Sequence, residues 1–282
     1  MLKLKVLGAV SVLFVSSTSA AANQVIQVYP LSSAPSVDGQ GLDWEAIPAQ
    51  EIPLRAIKTP SQVELQSVDI KAGYHGENVY FYLQWPDSEA SLLHKPYVWN
   101  NESQRYLKGT QREDRLALQF EMEGELSADW RDARNFKADM WHWKASRSNP
   151  LGLVHDKYTE HSPTKVLSSS VIEGASGHTQ YVMRKSDAGT KIYTTKRYRK
   201  QVDSVMPKYI LNAEVTGSIT DIKAKGDWRE GRWHLELERK LDTGNGDDVA
   251  FVPGTAVRGA VAVFDASEND DHAISQTLIF QF

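Results

Sequence analysis

An antiparallel β-sandwich is the fold this sequence predicts, and three observations predict it. Apolar and polar residues alternate with period two wherever the patterning is strong. Turn-forming residues separate the alternating runs at short intervals. Helical periodicity is weak, and only Ser127 to Asn135 is a candidate for a short helix. Many short strands without intervening helices pack as two sheets face to face.

The clearest element is a hairpin. Val68, Ile70, Ala72 and Tyr74 alternate with polar neighbours, and Val79, Phe81, Leu83 and Trp85 do the same. Between them lies the turn sequence His75-Gly76-Glu77-Asn78. Leu116, Leu118 and Phe120 repeat the pattern, as do Trp233, Leu235 and Leu237 after Gly231-Arg232. The closing segments 260–264 and 274–282 are again β-branched and aromatic. Between Pro150 and about Pro207 the pattern loosens, with Ser168-Ser169-Ser170, Gly174, Gly177 and Gly189 as punctuation. This stretch reads as a long insertion carrying a hairpin, laid over one sandwich domain that spans 23–282.

The chain has 282 residues and a net charge of −4. Lys3 and Lys5 precede an apolar run from Val6 to Val15 and then small residues from Ser16 to Ala22. That order is a secretory signal, expected to be cleaved after Ala20 or Ala22 and to deliver the chain to a periplasm. The run is too short to span a bilayer, which needs about 20 apolar residues, so no integral membrane segment is expected after cleavage. Setting Lys3 and Lys5 aside, the 32 Lys and Arg fall to 30 against 36 Asp and Glu, a net −6. No basic block remains to suggest nucleic acid.

Cysteine is absent. This excludes disulfides, thiolate metal sites, a cysteine nucleophile and a haem attached through CxxCH. HExxH, GxSxG, P-loop and GxGxxG patterns are absent as well, and Glu113-Asp114, being adjacent, point to opposite faces of a strand. No catalytic constellation emerges, so the chain is read as a non-enzyme.

Two segments stand out. In Asp139-Met140-Trp141-His142-Trp143-Lys144-Ala145 a strand puts Met140, His142 and Lys144 on one face and Trp141 and Trp143 on the other. Paired tryptophans on one face suit a core or a flat ring system. From periodicity alone, two core aromatics with a polar outer face is the simpler account. The second segment, Phe264-Asp265-Ala266-Ser267-Glu268-Asn269-Asp270-Asp271-His272-Ala273-Ile274-Ser275, is an acidic loop that delivers His272 to the start of a strand. Its spacing does not fit an EF-hand loop, and a solvated acidic turn explains its carboxylates.

Five stretches in order, together with that tail, resemble the haem-binding domain family of cytochrome c-552 and of the gamma subunits of ethylbenzene and dimethylsulfide dehydrogenases. They are Val37-Asp38-Gly39 with Trp44, the hairpin 73–87, EDRLALQF (113–120), DMWHWKASRSNPLG (139–152) and GRWHLELERKLDTG (231–244). The DG…W opening and the hairpin are also similar to family 9 carbohydrate-binding modules. The resemblance implies an immunoglobulin-like sandwich holding one haem b non-covalently between its sheets. It also implies periplasmic electron transfer with a redox partner, either a molybdenum enzyme or a multihaem cytochrome.

In that family the axial ligands are a Met between the EDR-like and WHWKA-like strands and a Lys in the C-terminal tail. Here His272 stands at the tail position, Met122 and Met140 are candidates for the other, and His142 shares Met140's face. By the same resemblance, Trp141 and Trp143 would wall the pocket, and Lys144 or Arg115 would pair with a propionate. Two rival readings use the same sandwich. One is a glycan binder that stacks sugar on Trp99 and Trp130. The other is a haem-free subunit that only docks onto a redox complex.

Overall fold

A computed structural model describes residues 23–129, 132–173 and 177–282. The signal-peptide reading and Trp130 lie outside the described residues. Among those described, no helix is long and apolar enough to cross a membrane, and the residues of 127–135 that are described form no helix.

Among the described residues fifteen strands build the sandwich, one of them the two-residue Tyr29–Pro30, parallel to Ser67–His75. The others are β1 (Gln24–Gln27), β2 (Gln50–Ala56), β3 (Ser67–His75), β4 (Asn78–Pro86), β5 (Arg115–Gly124), β6 (Phe136–Lys144) and β7 (His155–Ser162). The chain continues with β8 (Ser170–Glu173), β9 (Thr179–Ser186), β10 (Lys223–Arg229), β11 (Arg232–Lys240), β12 (Ala256–Phe264), β13 (Ala273–Ser275) and β14 (Leu278–Gln281).

One layer runs β8-β9-β7-β6-β5-β12-β13 and the other β3-β4-β11-β10, and β2 belongs to both. Residues 50–53 of β2 pair with β3, whereas 54–56 pair with β13. Pro53 stands at the changeover, where a missing N–H costs the ladder little.

The hairpins form as their turn residues dictate. His75 pairs with Asn78 across the two-residue loop Gly76-Glu77, and Gly76 takes φ +57°. Glu230 and Gly231, both at positive φ, join β10 to β11.

The space between the layers is filled with aromatic rings. Phe81 of β4 meets Phe120 of β5 at 5.7 Å and Trp141 of β6 at 5.6 Å, centroid to centroid. Trp143 meets Trp233 of β11 at 4.9 Å, edge-on. Such pairs add about 0.5–1.5 kcal/mol each beyond the area they bury. Trp141 and Trp143 are essentially inaccessible to solvent. Trp143 Nε1 donates to Asn149 Oδ1, which also accepts from the Gly226 N–H. Gly226 is required there, because a Cβ would sit 2.4 Å from the Trp143 ring.

The segment 150–207 departs from the expected overlay. It extends the sheet: β7 pairs with β6 from His155↔His142 to His161↔Phe136, β9 pairs with β7, and β8 with β9. The bare edge of β6 would otherwise present unpaired N–H and C=O groups. The patterning is weak because these strands stand at the margin of the layer, where one face packs only in part.

Candidate functional site

The alternation that buries Trp141 and Trp143 aims Met140 and His142 away from the core, onto the outer face of the long layer. There they line a cavity of about 370 Å3, together with Arg115, Lys157, His161, Arg184, Phe264 and His272. Its floor owes its depth to small side chains. The register runs His142↔Ala117↔Ala262↔Ile274 across four strands, and Ala117, Ala260 and Ala262 leave room above the sheet. Asn269, Asp270 and the segment at Ser127-Ala128 close the rim.

Phe264 links the two histidines expected on this site. Its ring centroid lies 4.6 Å from that of His272 and 5.9 Å from that of His142. Burial is the main cause that lowers the pKa of His272 to about 4 and that of His142 well below the ordinary value. Arg115 nearby adds to both shifts, and Lys144 and Lys157 add to that of His142. Both imidazoles are therefore neutral at pH 7, the form that binds metals. His142 Nε2 and His272 Nδ1 are buried without a hydrogen-bond partner.

The cations are equally specific. Arg115, 1% exposed, donates to Asn269 Oδ1 and to the Ser267 carbonyl, each at 2.6 Å. Its guanidinium lies 4.2 Å over the Phe264 ring, and its Nε has no partner. Among the described residues no carboxylate forms an ion pair with it, although Glu113 and Glu268 lie near enough to favour its charged form. Burial lowers its pKa to about 10 and that of Lys157 to about 8, so both remain largely charged at neutral pH.

The other expected residues lie elsewhere. Trp141 and Trp143 do not wall the cavity; they fill the interior on the opposite face, because adjacent positions of a strand point to opposite sides. Lys144 is buried and held by His155 and the Tyr193 hydroxyl, while burial and the neighbouring Lys157 and Arg147 push its pKa down. Met122 packs against the core and borders a separate surface cleft with Glu123 and Lys137. It continues the inward-facing positions Leu116, Leu118 and Phe120. Of the two methionines, only Met140 shares the cavity with His272. Trp99 is half-buried, packed edge-on against Tyr106 at 5.0 Å.

The EDR sequence resolves into three separate tasks. Glu113 accepts from the Ser146 and Arg147 N–H groups and from the Arg147 side chain, clasping the turn after β6. Asp114 accepts from Trp233 Nε1 and from the Ser91 and Ala266 N–H groups. Only Arg115 reaches the cavity. Lys157, His161, Arg184 and Phe264 were not anticipated. The signal for the first two was present in the alternation Lys157-Thr159-His161, and Phe264 stood at the head of the acidic tail.

The outer face of this all-β sandwich thus gathers imidazoles, a thioether and cationic side chains in one cavity. The chain belongs to the ethylbenzene dehydrogenase family, whose model matches residues 42–275. A search of curated proteins finds no match. Solved structures similar to the chain include a protein from Bacteroides uniformis provisionally described as carbohydrate-binding. Its identity is 8%, with 91% of each chain covered and a TM-score of 0.46. A family 9 carbohydrate-binding module from Caldicellulosiruptor kristjanssonii in complex with glucose is 10% identical. That likeness covers 89% of this chain and 85% of the module, with a TM-score of 0.38. At this level neither likeness bears on ligand or function.

Proposed function

We propose that this chain is a non-covalent haem b protein that passes single electrons as a non-catalytic partner of a periplasmic redox complex, either a molybdenum enzyme or a multihaem cytochrome. The observation that carries the reading is the joining, in one cavity, of two neutral buried histidines with a buried guanidinium that lacks a carboxylate. The donor set fits the group. The imidazoles of His272 and His142 are ligands for iron, and Arg115, Lys157 and Arg184 are partners for propionate carboxylates. Phe264 and the alanine floor supply apolar surface for a macrocycle. The reading places the cofactor on the outer face of the layer, since aromatic side chains occupy the space between the sheets.

When bound, haem supplies a one-electron couple. His272 and His142 would hold the iron, a ligand pair that suits outer-sphere transfer and disfavours oxygen chemistry. Arg115 would pair with the carboxylates, and its positive charge would favour the reduced iron over the oxidised one. Met140 stands beside His142 as a wall of the site. Glycan stacking gains no support from Trp99, which lies half-buried against Tyr106.

The test is a haem titration of the purified protein followed by a reduced-minus-oxidised spectrum. A six-coordinate low-spin spectrum is expected for the parent protein and a five-coordinate one for His272→Ala. A protein that binds no haem overturns the reading. A methionine-to-iron charge-transfer band that disappears in Met140→Leu rejects His142 as the second ligand.

A further inference from the structure

The residues that alternate with Met140 and Lys157 form a second cluster on the inner side of the same two strands. Asp139 of β6 and Asp156 of β7 are completely buried, and Asp248, in the loop after β11, is 9% exposed. One carboxylate oxygen from each lies within 4.8 Å of the others.

Each of the three has one oxygen satisfied by the protein and one left over. Asp139 Oδ2 accepts from Arg239 Nη1 at 2.6 Å and from the Val249 N–H at 3.2 Å, while Oδ1 has no partner. Asp156 Oδ1 accepts from the Lys157 N–H, while Oδ2 has none. Asp248 Oδ2 accepts from Thr243 Oγ1 at 2.5 Å, while Oδ1 accepts no hydrogen bond and faces Arg239 Nη1 at 3.9 Å.

A fourth carboxylate, outside this triad, points to the same place. Asp187 follows β9, is 5% exposed, and leaves both of its oxygens without a hydrogen bond. Its N–H donates to the Asp156 carbonyl, which holds the two residues side by side. Arg239 is the cation that forms ion pairs with this group, at 2.6 Å to Asp139 and 3.9 Å to Asp248. Its guanidinium also lies over Trp141 at 4.9 Å. One positive charge against four buried carboxylates leaves a large deficit where the dielectric is low.

We infer that Asp139, Asp156 and Asp248, with Asp187 beside them, bind one hard divalent cation, calcium in preference to magnesium. An ion with ligands at about 2.3–2.6 Å reaches oxygens up to about 5 Å apart across its centre, which matches the separation observed. Calcium is preferred because an all-protein cage with little room for water suits it, whereas magnesium retains several of its waters.

The site shares no side chain with the haem cavity, so the two readings fail separately. The experiment uses the purified protein stripped with chelator, with calcium added to about 1 mM. One equivalent is expected to bind, and the melting temperature to rise by several degrees in calcium over chelator. Terbium should show emission sensitised by Trp141, two residues from Asp139 on the same strand face, and calcium should displace it. Asp156→Asn should weaken calcium binding at least tenfold. Should that variant fail to fold, Asp187→Asn, nearer the edge, should weaken it in the same direction. Identical melting in chelator and calcium together with no sensitised emission, or equal stabilisation by magnesium and calcium, overturns the assignment.

Discussion

Arg115 sets its guanidinium 4.2 Å over the ring of Phe264, with no carboxylate in ion-pair reach among the described residues. A charge buried in this way is costly unless something compensates it, and a carboxylate-bearing ligand does so. Charge-assisted hydrogen bonds are worth roughly 1.5–3 kcal/mol. Arg115→Leu is therefore expected to remain folded and to bind haem at least tenfold more weakly, read by equilibrium titration. Unchanged affinity would show that the guanidinium does not meet the cofactor.

Trp141 separates packing from ligand binding. Trp141→Ala empties a site lined by Phe81, Phe120 and Phe251, and should cost about 3–5 kcal/mol in a urea titration. The milder Trp141→Phe should lower stability by about 1–2 kcal/mol and leave the haem spectrum untouched. A shifted spectrum in that variant would place the indole against the cofactor after all.

Gly226→Ala tests the packing of the neighbouring tryptophan. The added methyl meets the Trp143 ring at 2.4 Å, and both Trp143 and its Asn149 partner are tied to the same backbone. Overpacking of this kind costs about 1–3 kcal/mol. A urea midpoint equal to that of the parent would contradict it.

Acid should destabilise the fold in a defined window. Burial lowers the pKa of His161 to about 3 and that of His94 to about 2, against about 6.5 in the unfolded chain. Below pH ~6.5 the unfolded state takes up protons that the folded state refuses, so stability falls as pH drops toward those folded values. Asp114, raised by burial to about 7, acts in the opposite sense and loses stability as pH rises. The difference between the parent and His161→Gln isolates the histidine. The gap in urea midpoint should be constant above pH 7 and change progressively between pH 6 and 4. Parallel curves throughout would refute it.

Much of the fold was legible because its cause is local. The period-two runs at 68–74, 79–85 and 116–120 and the turns at Gly76 and Gly231 specify strands whatever surrounds them. The site was legible only in part. The face shared by Met140 and His142 follows from strand alternation, and that alternation also put Trp141 and Trp143 on the other side. What the other side packs against is a tertiary question. Here it is Phe81 and Trp233 from the opposite layer, with Phe120 from the neighbouring strand.

The sequence by itself therefore determined the class of fold, the strands and which neighbours share a face, because those depend on backbone period and turn chemistry. It also determined that no cysteine holds a cofactor. Only the tertiary structure decided which face carries the cavity, and that segment 155–186 supplies Lys157, His161 and Arg184 to it. It alone brought carboxylate oxygens of Asp139, Asp156 and Asp248 within 4.8 Å of one another. These depend on strand order and register between segments far apart in sequence, as in the pairing of Ala56 with Ala273 and the contact of Asp139 with Val249, and period-two patterning carries no record of which strand lies beside which.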